Sequence, residues 1–175
     1  HRAEIMQLNG AWSDAIEEVQ EACDRLSGVP AAGEAFYQHA ELCRLRGRFA
    51  EAEDGYRRAS GWGREPQPGL ALLRLAQGQV DAAAAAIRRV VDEAEGDVAR
   101  SRVLGPYVEV MLAAGELDLA RRGAEELSAI AASLDVAFVQ ALAAYATSAV
   151  LLAEGEAMAA LPVLRRAWLA WRDLE

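Results

Sequence analysis

The side chains able to do chemistry are few and scattered. His1 and His39 are the only histidines, and they are too far apart in sequence to suggest a zinc site or a catalytic triad. Cys23 and Cys43 lack the spacing of a metal knuckle or a redox pair and read as reduced core thiols; a disulfide or thiol switch is the alternative. Ser101, Ser128, Ser133 and Ser148 have no Gly-x-Ser-x-Gly setting that would make one a hydrolase nucleophile. All eighteen cationic residues are arginine. Without lysine these residues can form neither a Walker-type phosphate loop nor a Schiff base. Glu17, Glu18, Glu21, Glu51, Glu53, Asp54, Glu125 and Glu126 follow solvated helix faces and do not converge on a general acid/base pair. No catalytic residue, cofactor site or metal site is assigned, and an enzyme is the least favoured class.

The composition points to elements that hold binding groups. Apolar residues make up 53% of the 175 and aromatics 6%, with alanine dominant, which favours close-packed helices over sheets. A net charge of −9 repels a phosphate backbone, so no direct nucleic-acid binding by this segment is expected. Residues 1–10 lack the apolar core of a signal peptide, and a reducing cytoplasm is the expected compartment. The uncharged run Val136–Ala153 is long enough to span a bilayer, but its alanines, Gln140, Thr147 and Ser148, and its flanking Asp135 and Glu154 predict a packed helix and no membrane.

A repeat organises the chain. Gly10, Gly47, Gly78, Gly115 and Gly155 are each followed after two residues by an apolar side chain (Trp12, Phe49, Val80, Leu117, Ala157) and after five by alanine (Ala15, Ala52, Ala83, Ala120, Ala160). A glycine that accepts a left-handed backbone ends one helix and turns the chain into the next, and the small alanine lets the two approach closely. This predicts an all-α protein, a single domain of antiparallel hairpins at about 1–27, 31–59, 66–93, 98–133 and 134–173, four to five in all. The paired helices are expected at Ala31–Arg46 with Phe49–Ala59, Pro66–Gln77 with Val80–Glu93, Val98–Ala114 with Leu117–Ser133, and Leu134–Glu154 with Ala157–Asp173, preceded by Ser13–Leu26. Gly28-Val29-Pro30, Gly61 to Pro68 and Glu95-Gly96-Asp97 are the expected linkers.

Arg46-Gly47-Arg48-Phe49-Ala50-Glu51-Ala52, with Tyr56 and Ala59, resembles the second half of a tetratricopeptide repeat (TPR). Phe36, His39 and Ala40 stand where that family has a large apolar residue, a leucine and a small residue, so His39 is a departure. Other units keep the glycine and alanine but place Ile87, Ala124 and Leu164 where Tyr56 stands. Gly61-Trp62-Gly63-Arg64-Glu65-Pro66-Gln67-Pro68-Gly69-Leu70-Ala71-Leu72-Leu73-Arg74-Leu75-Ala76-Gln77-Gly78 resembles the helical region of bacterial LuxR-type transcriptional regulators. The first resemblance implies a right-handed superhelical stack. The second implies a relay segment of a larger protein, whose C-terminal helix-turn-helix module, outside these residues, binds DNA.

A hairpin stack offers a concave surface lined by the first helix of each pair. Continuing the register, Tyr37, Glu41, Arg44, Arg102, Glu109 and Tyr145 are expected to point into it and to suit a protein or peptide segment, with solvent exposure as the plainer alternative. A small-molecule effector near Tyr37 or Tyr145 is the second expectation, and a free-standing TPR adaptor the third. Leu164, Trp168 and Trp171 share a face of the last helix and are expected either to pack beneath a following repeat or to form a homodimer contact.

Overall fold

In a computed structural model the protein is described for residues 11–26, 28–29 and 31–172; the expected joint at Gly10, His1 and the end of the last hairpin at Asp173 lie outside them. The described residues are all-helical: α1 (Trp12–Arg25), α2 (Ala32–Leu45), α3 (Phe49–Gly61), α4 (Gly69–Ala76), α5 (Val80–Glu93), α6 (Gly96–Ala113), α7 (Leu117–Leu134), α8 (Ala137–Ala153) and α9 (Ala157–Arg172). They divide into two compact units, His1–Gly78 and Gln79–Glu175.

The joints follow the glycine-alanine rule. Gly47, Gly78, Gly115 and Gly155 all have left-handed backbones, φ between +72° and +82°. At Gly47, Gly115 and Gly155 the same two hydrogen bonds close the turn. The glycine N–H donates to the carbonyl three residues back, and the next N–H donates to the carbonyl five residues back, as in Arg48 to Cys43 (2.8 Å), Glu116 to Met111 (2.9 Å) and Glu156 to Leu151 (2.9 Å). These bonds use carbonyls that a helix end leaves without an intrahelical donor. Ala15, Ala52, Ala83, Ala120 and Ala160 are all buried. The apolar residue after the turn is half-buried at four positions, whereas Ala157 is exposed.

Four second helices begin where the repeat predicts, at Phe49, Val80, Leu117 and Ala157. First helices differ more. Pro66 and Pro68 lack backbone N–H groups and constrain the residues before them, so α4 starts only at Gly69. Gly96, expected in a linker, instead opens α6 with φ +76°. Between α7 and α8, Asp135 takes the left-handed conformation usually left to glycine, at φ 50°.

In the first unit α2 and α3 close over Phe36, Leu42, Cys43 and Tyr56, flanked by α1 and α4. In the second, α5 to α9 pack in sequence around Ile87, Leu104, Val108, Val110, Met111 and Leu127. Two glycines eight residues beyond the joint allow close crossings within their hairpins. A Cβ on Gly55 would lie 2.9 Å from Ala40 Cβ, and one on Gly123 would lie 2.9 Å from Tyr107 Cδ1. Helix α8 packs against α6, α7 and α9, with one side left open, and no described helix is long and apolar enough to cross a membrane.

Candidate functional site

The residues expected to line one concave surface separate into different environments. Tyr37 is 8% exposed, against the expectation of an open lining, and its ring meets Tyr56 edge-on at 5.6 Å. Tyr56 donates a hydrogen bond to Glu41, which pairs with Arg44 at 2.8 Å. The cluster is shut by α4, where a Cβ on Gly69 would come within 2.5 Å of Tyr56 Oη. Burial, and then the charge of Glu41, push the Tyr37 hydroxyl up to about 12 and raise Tyr56 as well, so both hydroxyls stay protonated. This is a packing network.

Arg102 and Glu109, seven residues apart on α6, are exposed, as is Tyr145 on α8. They do not share a register. Arg102 and Glu109 lie thirteen and six residues before Gly115, whereas Tyr145 lies ten before Gly155, the place that Tyr37 holds relative to Gly47. Leu164 and Trp168 are exposed on α9, and Trp171 is half-buried against Phe138, ring centroids 5.1 Å apart.

A site that no single segment announces lies where two second helices flank a first helix without touching. Helices α1 and α3 leave such a groove over α2, α5 and α7 leave one over α6, and α7 and α9 leave one over α8. Counted back from the joint glycine, positions −11 and −8 form the floor, and position +11 of the following helix forms a wall. In the first groove these are Phe36, His39 and Arg58. Phe36 takes up part of the space, and the Arg58 guanidinium lies 3.9 Å over its ring. In the middle groove they are Leu104, Tyr107 and Glu126. Leu104 is buried, and Arg100 reaches across to Glu126 and to the carbonyls of Val91 (2.8 Å) and Ala94 (3.1 Å). The hydrogen bonds from Arg100 hold the Glu126 carboxyl below its usual range.

In the last groove the same three positions hold Ala144, Thr147 and Arg166. No large side chain fills it, and a cavity of about 510 Å³ remains, against about 300 Å³ in the first groove. Its floor is Ala143, Ala144, Thr147 and Gln140; Ser128, Ala131 and Ala132 form one wall, and Val163, Arg166 and Ala170 the other. Ser128 and Thr147 hydroxyls meet at 3.3 Å across the α7–α8 seam. Arg166 is exposed and has no ionic partner among the described residues. Small apolar groups, hydroxyls, an amide and one cation suit a ligand with an apolar body and an anionic end, including an acidic peptide side chain.

His39 sits in the first groove with Cys43 Sγ 3.7 Å from its ring, and burial lowers its pKa. Both cysteines are free and buried; burial pushes Cys23 up to about 11 and raises Cys43, which disfavours the reactive thiolate. Among the described residues no group of three His, Cys, Asp or Glu side chains is placed to hold a metal. Sequence inspection missed the last groove because its lining comes from three helices. The available signal was the loss of a large residue at −11, from Phe36 and Leu104 to Ala144. No protein-family model matches the chain, and no curated protein matches it.

Proposed function

We propose that the chain is a non-catalytic protein-interaction and signal-relay domain, a right-handed TPR-like stack serving a cytoplasmic bacterial transcriptional regulator of the LuxR type. The interaction part rests on one observation: the groove over α8, with Ala144 where the first groove has Phe36, keeps a cavity of about 510 Å³ against about 300 Å³ there, and it ends in an arginine without an ionic partner among the described residues. A peptide or loop of a partner protein that carries a small apolar residue and an acidic one fits that lining. The regulator part is supported by the resemblance across Gly61 to Gly78. A small-molecule effector is the second reading, favoured by a volume within the roughly 300–1,000 Å³ of ligand pockets.

Thermal-shift screening against a peptide library and a metabolite set tests both, because a ligand that prefers the folded state raises the transition. The groove-filling variant Ala144→Phe is the control. A peptide that stabilises wild type and not the variant supports the first reading, and a metabolite that does so supports the second. A ligand that stabilises both proteins equally refutes the groove as the site. The regulator assignment is tested by the reading frame after Glu175: a basic helix-turn-helix module supports it, and a stop codon removes it.

A further inference from the structure

We infer that the groove over α8 binds the main chain of an extended acidic peptide of a partner protein, the Ser128 and Thr147 oxygens accepting one of its backbone N–H groups. This rests on the reading of that groove as a binding site and adds which groups its ligand must bring. The positions of the hydrogens set the requirement. Ser128 Oγ donates its one hydrogen to the Ala124 carbonyl at 2.8 Å. The 3.3 Å contact between the Ser128 and Thr147 hydroxyls therefore takes the Thr147 hydrogen. With both hydrogens spent, the pair offers the groove only lone pairs. It accepts from an N–H or O–H and leaves a carbonyl or carboxylate placed against it unpaired, which is costly. Gln140 gives one amide hydrogen to Asp135 at 2.9 Å, which leaves it an N–H and a carbonyl oxygen, the complement of a peptide unit.

Length and charge narrow the ligand further. The lining runs from Gln140 to Thr147 on α8 and from Val163 to Ala170 on α9. Seven residues of helix rise about 10 Å, the length of about three extended residues. In an antiparallel hairpin, positions equally far from the joint lie level, so Thr147 at −8 is level with Val163 at +8, and Arg166 at +11 with Ala144 at −11. The acceptor pair and the arginine thus stand about one turn apart, roughly 5 Å, the reach from a backbone N–H to the carboxylate of the same or the adjacent residue. Arg166, exposed and without an ionic partner among the described residues, selects that carboxylate. A free amino acid brings the same groups but covers only about one of the three residue lengths.

A succeeding helix does not occupy such a groove. Helix α4 follows α3, yet it lies on Tyr56 through Gly69, and the first groove is lined by α1, α2 and α3 alone. The groove over α8 is likewise bounded by helices already in place, α7 on one side and α9 on the other. With alanine at 131, 143 and 144, a peptide backbone can approach the floor closely.

Two-dimensional proton–nitrogen NMR of the labelled chain, titrated with the peptide acetyl-Ala-Asp-Ala-amide, tests this, because it reads weak binding residue by residue. Saturable shifts are expected in the amide signals of Ser128, Ala144 and Thr147. A peptide with asparagine for its aspartate is expected to bind a few-fold more weakly, and Arg166→Gln to erase that preference. Replacing the backbone N–H of each peptide residue in turn by an ester oxygen is expected to weaken binding roughly threefold to tenfold at one position. The double variant Ser128→Ala/Thr147→Val is expected to bind that ester and the parent peptide equally, and its spectrum shows whether it is folded. Binding at these signals that ignores every ester substitution overturns the inference and leaves the groove a binding site, as does an ester effect that survives in the double variant. Free aspartate that shifts the same signals with equal affinity also overturns it, the occupant then being a metabolite. Absence of saturable shifts at these signals overturns both the inference and the reading on which it rests.

Discussion

Two glycines of α3 should respond to alanine with opposite signs. Both stand in helical backbone, where alanine gains about 0.5–1 kcal/mol over glycine in an unobstructed helix. At Gly61 a new Cβ meets nothing within 4 Å, so Gly61→Ala should gain most of that amount. At Gly55 the same Cβ would lie 2.9 Å from Ala40 Cβ and 3.2 Å from both Ala40 Cα and the Phe36 carbonyl oxygen. Two of those obstacles are backbone, so α3 must move away from α2 and loosen a core that contains Phe36 and Tyr56. Overpacking of this kind costs about 1–3 kcal/mol, enough to outweigh the helical gain. Gly55→Ala should therefore be destabilised by up to about 2 kcal/mol and lie on the order of 2 kcal/mol below Gly61→Ala. Urea unfolding followed by circular dichroism at 222 nm measures both midpoints under the same conditions. The double variant Ala40→Gly/Gly55→Ala removes the nearest obstacle, and its stability should exceed the sum of the single effects by about 1 kcal/mol. Equal midpoints for Gly55→Ala and Gly61→Ala would refute the claim that close helix approach sets this joint.

Other consequences can be checked separately. Ala144→Phe should fold and keep or raise the melting temperature, since Phe36 is accommodated at the same register in the first groove, and a drop of about 10 °C would contradict that equivalence. His39 is held neutral in the fold, its pKa below the unfolded value of about 6.5. The unfolded chain therefore takes up a proton first as pH falls through that value, and stability declines from about pH 7 toward 5.5. Melting curves of His39→Gln over that range should lack this part of the slope, and an unchanged slope would remove His39 as its source. Arg100→Ala breaks hydrogen bonds to Glu126 and to two carbonyls at the end of α5, and should cost about 1–3 kcal/mol in urea unfolding.

What was readable in the amino-acid order was the local part of the design. A glycine turn, the apolar residue after it and an alanine contact fall within six consecutive positions, and their recurrence located the starts of α3, α5, α7 and α9. The glycines at Gly55 and Gly123, eight residues past their joints, were equally visible and went unnoticed as crossing points. Tyr37 was misjudged for a nonlocal reason. Position −10 faces the next helix along the chain, so its exposure depends on whether that helix arrives: α4 buries Tyr37, while Tyr145 stays open. The groove over α8 was harder still, because its emptiness appears only when Phe36, Leu104 and Ala144 are compared at one register. Charge gave no help, since Arg58 and Arg166 look alike until the ring beneath the first is found missing beneath the second.

The sharing of one turn geometry by Gly47, Gly115 and Gly155 bears on how such a chain can change over generations. A hairpin copied together with its glycine and alanine takes its folding instructions with it, while positions −11 and −8 are under no such obligation. Two substitutions there separate a narrower groove from a roomier one without touching the elements that close the hairpin. Binding preference can then drift at one register while the architecture is inherited intact through another, and paralogous hairpins within a single chain can diverge in what they hold.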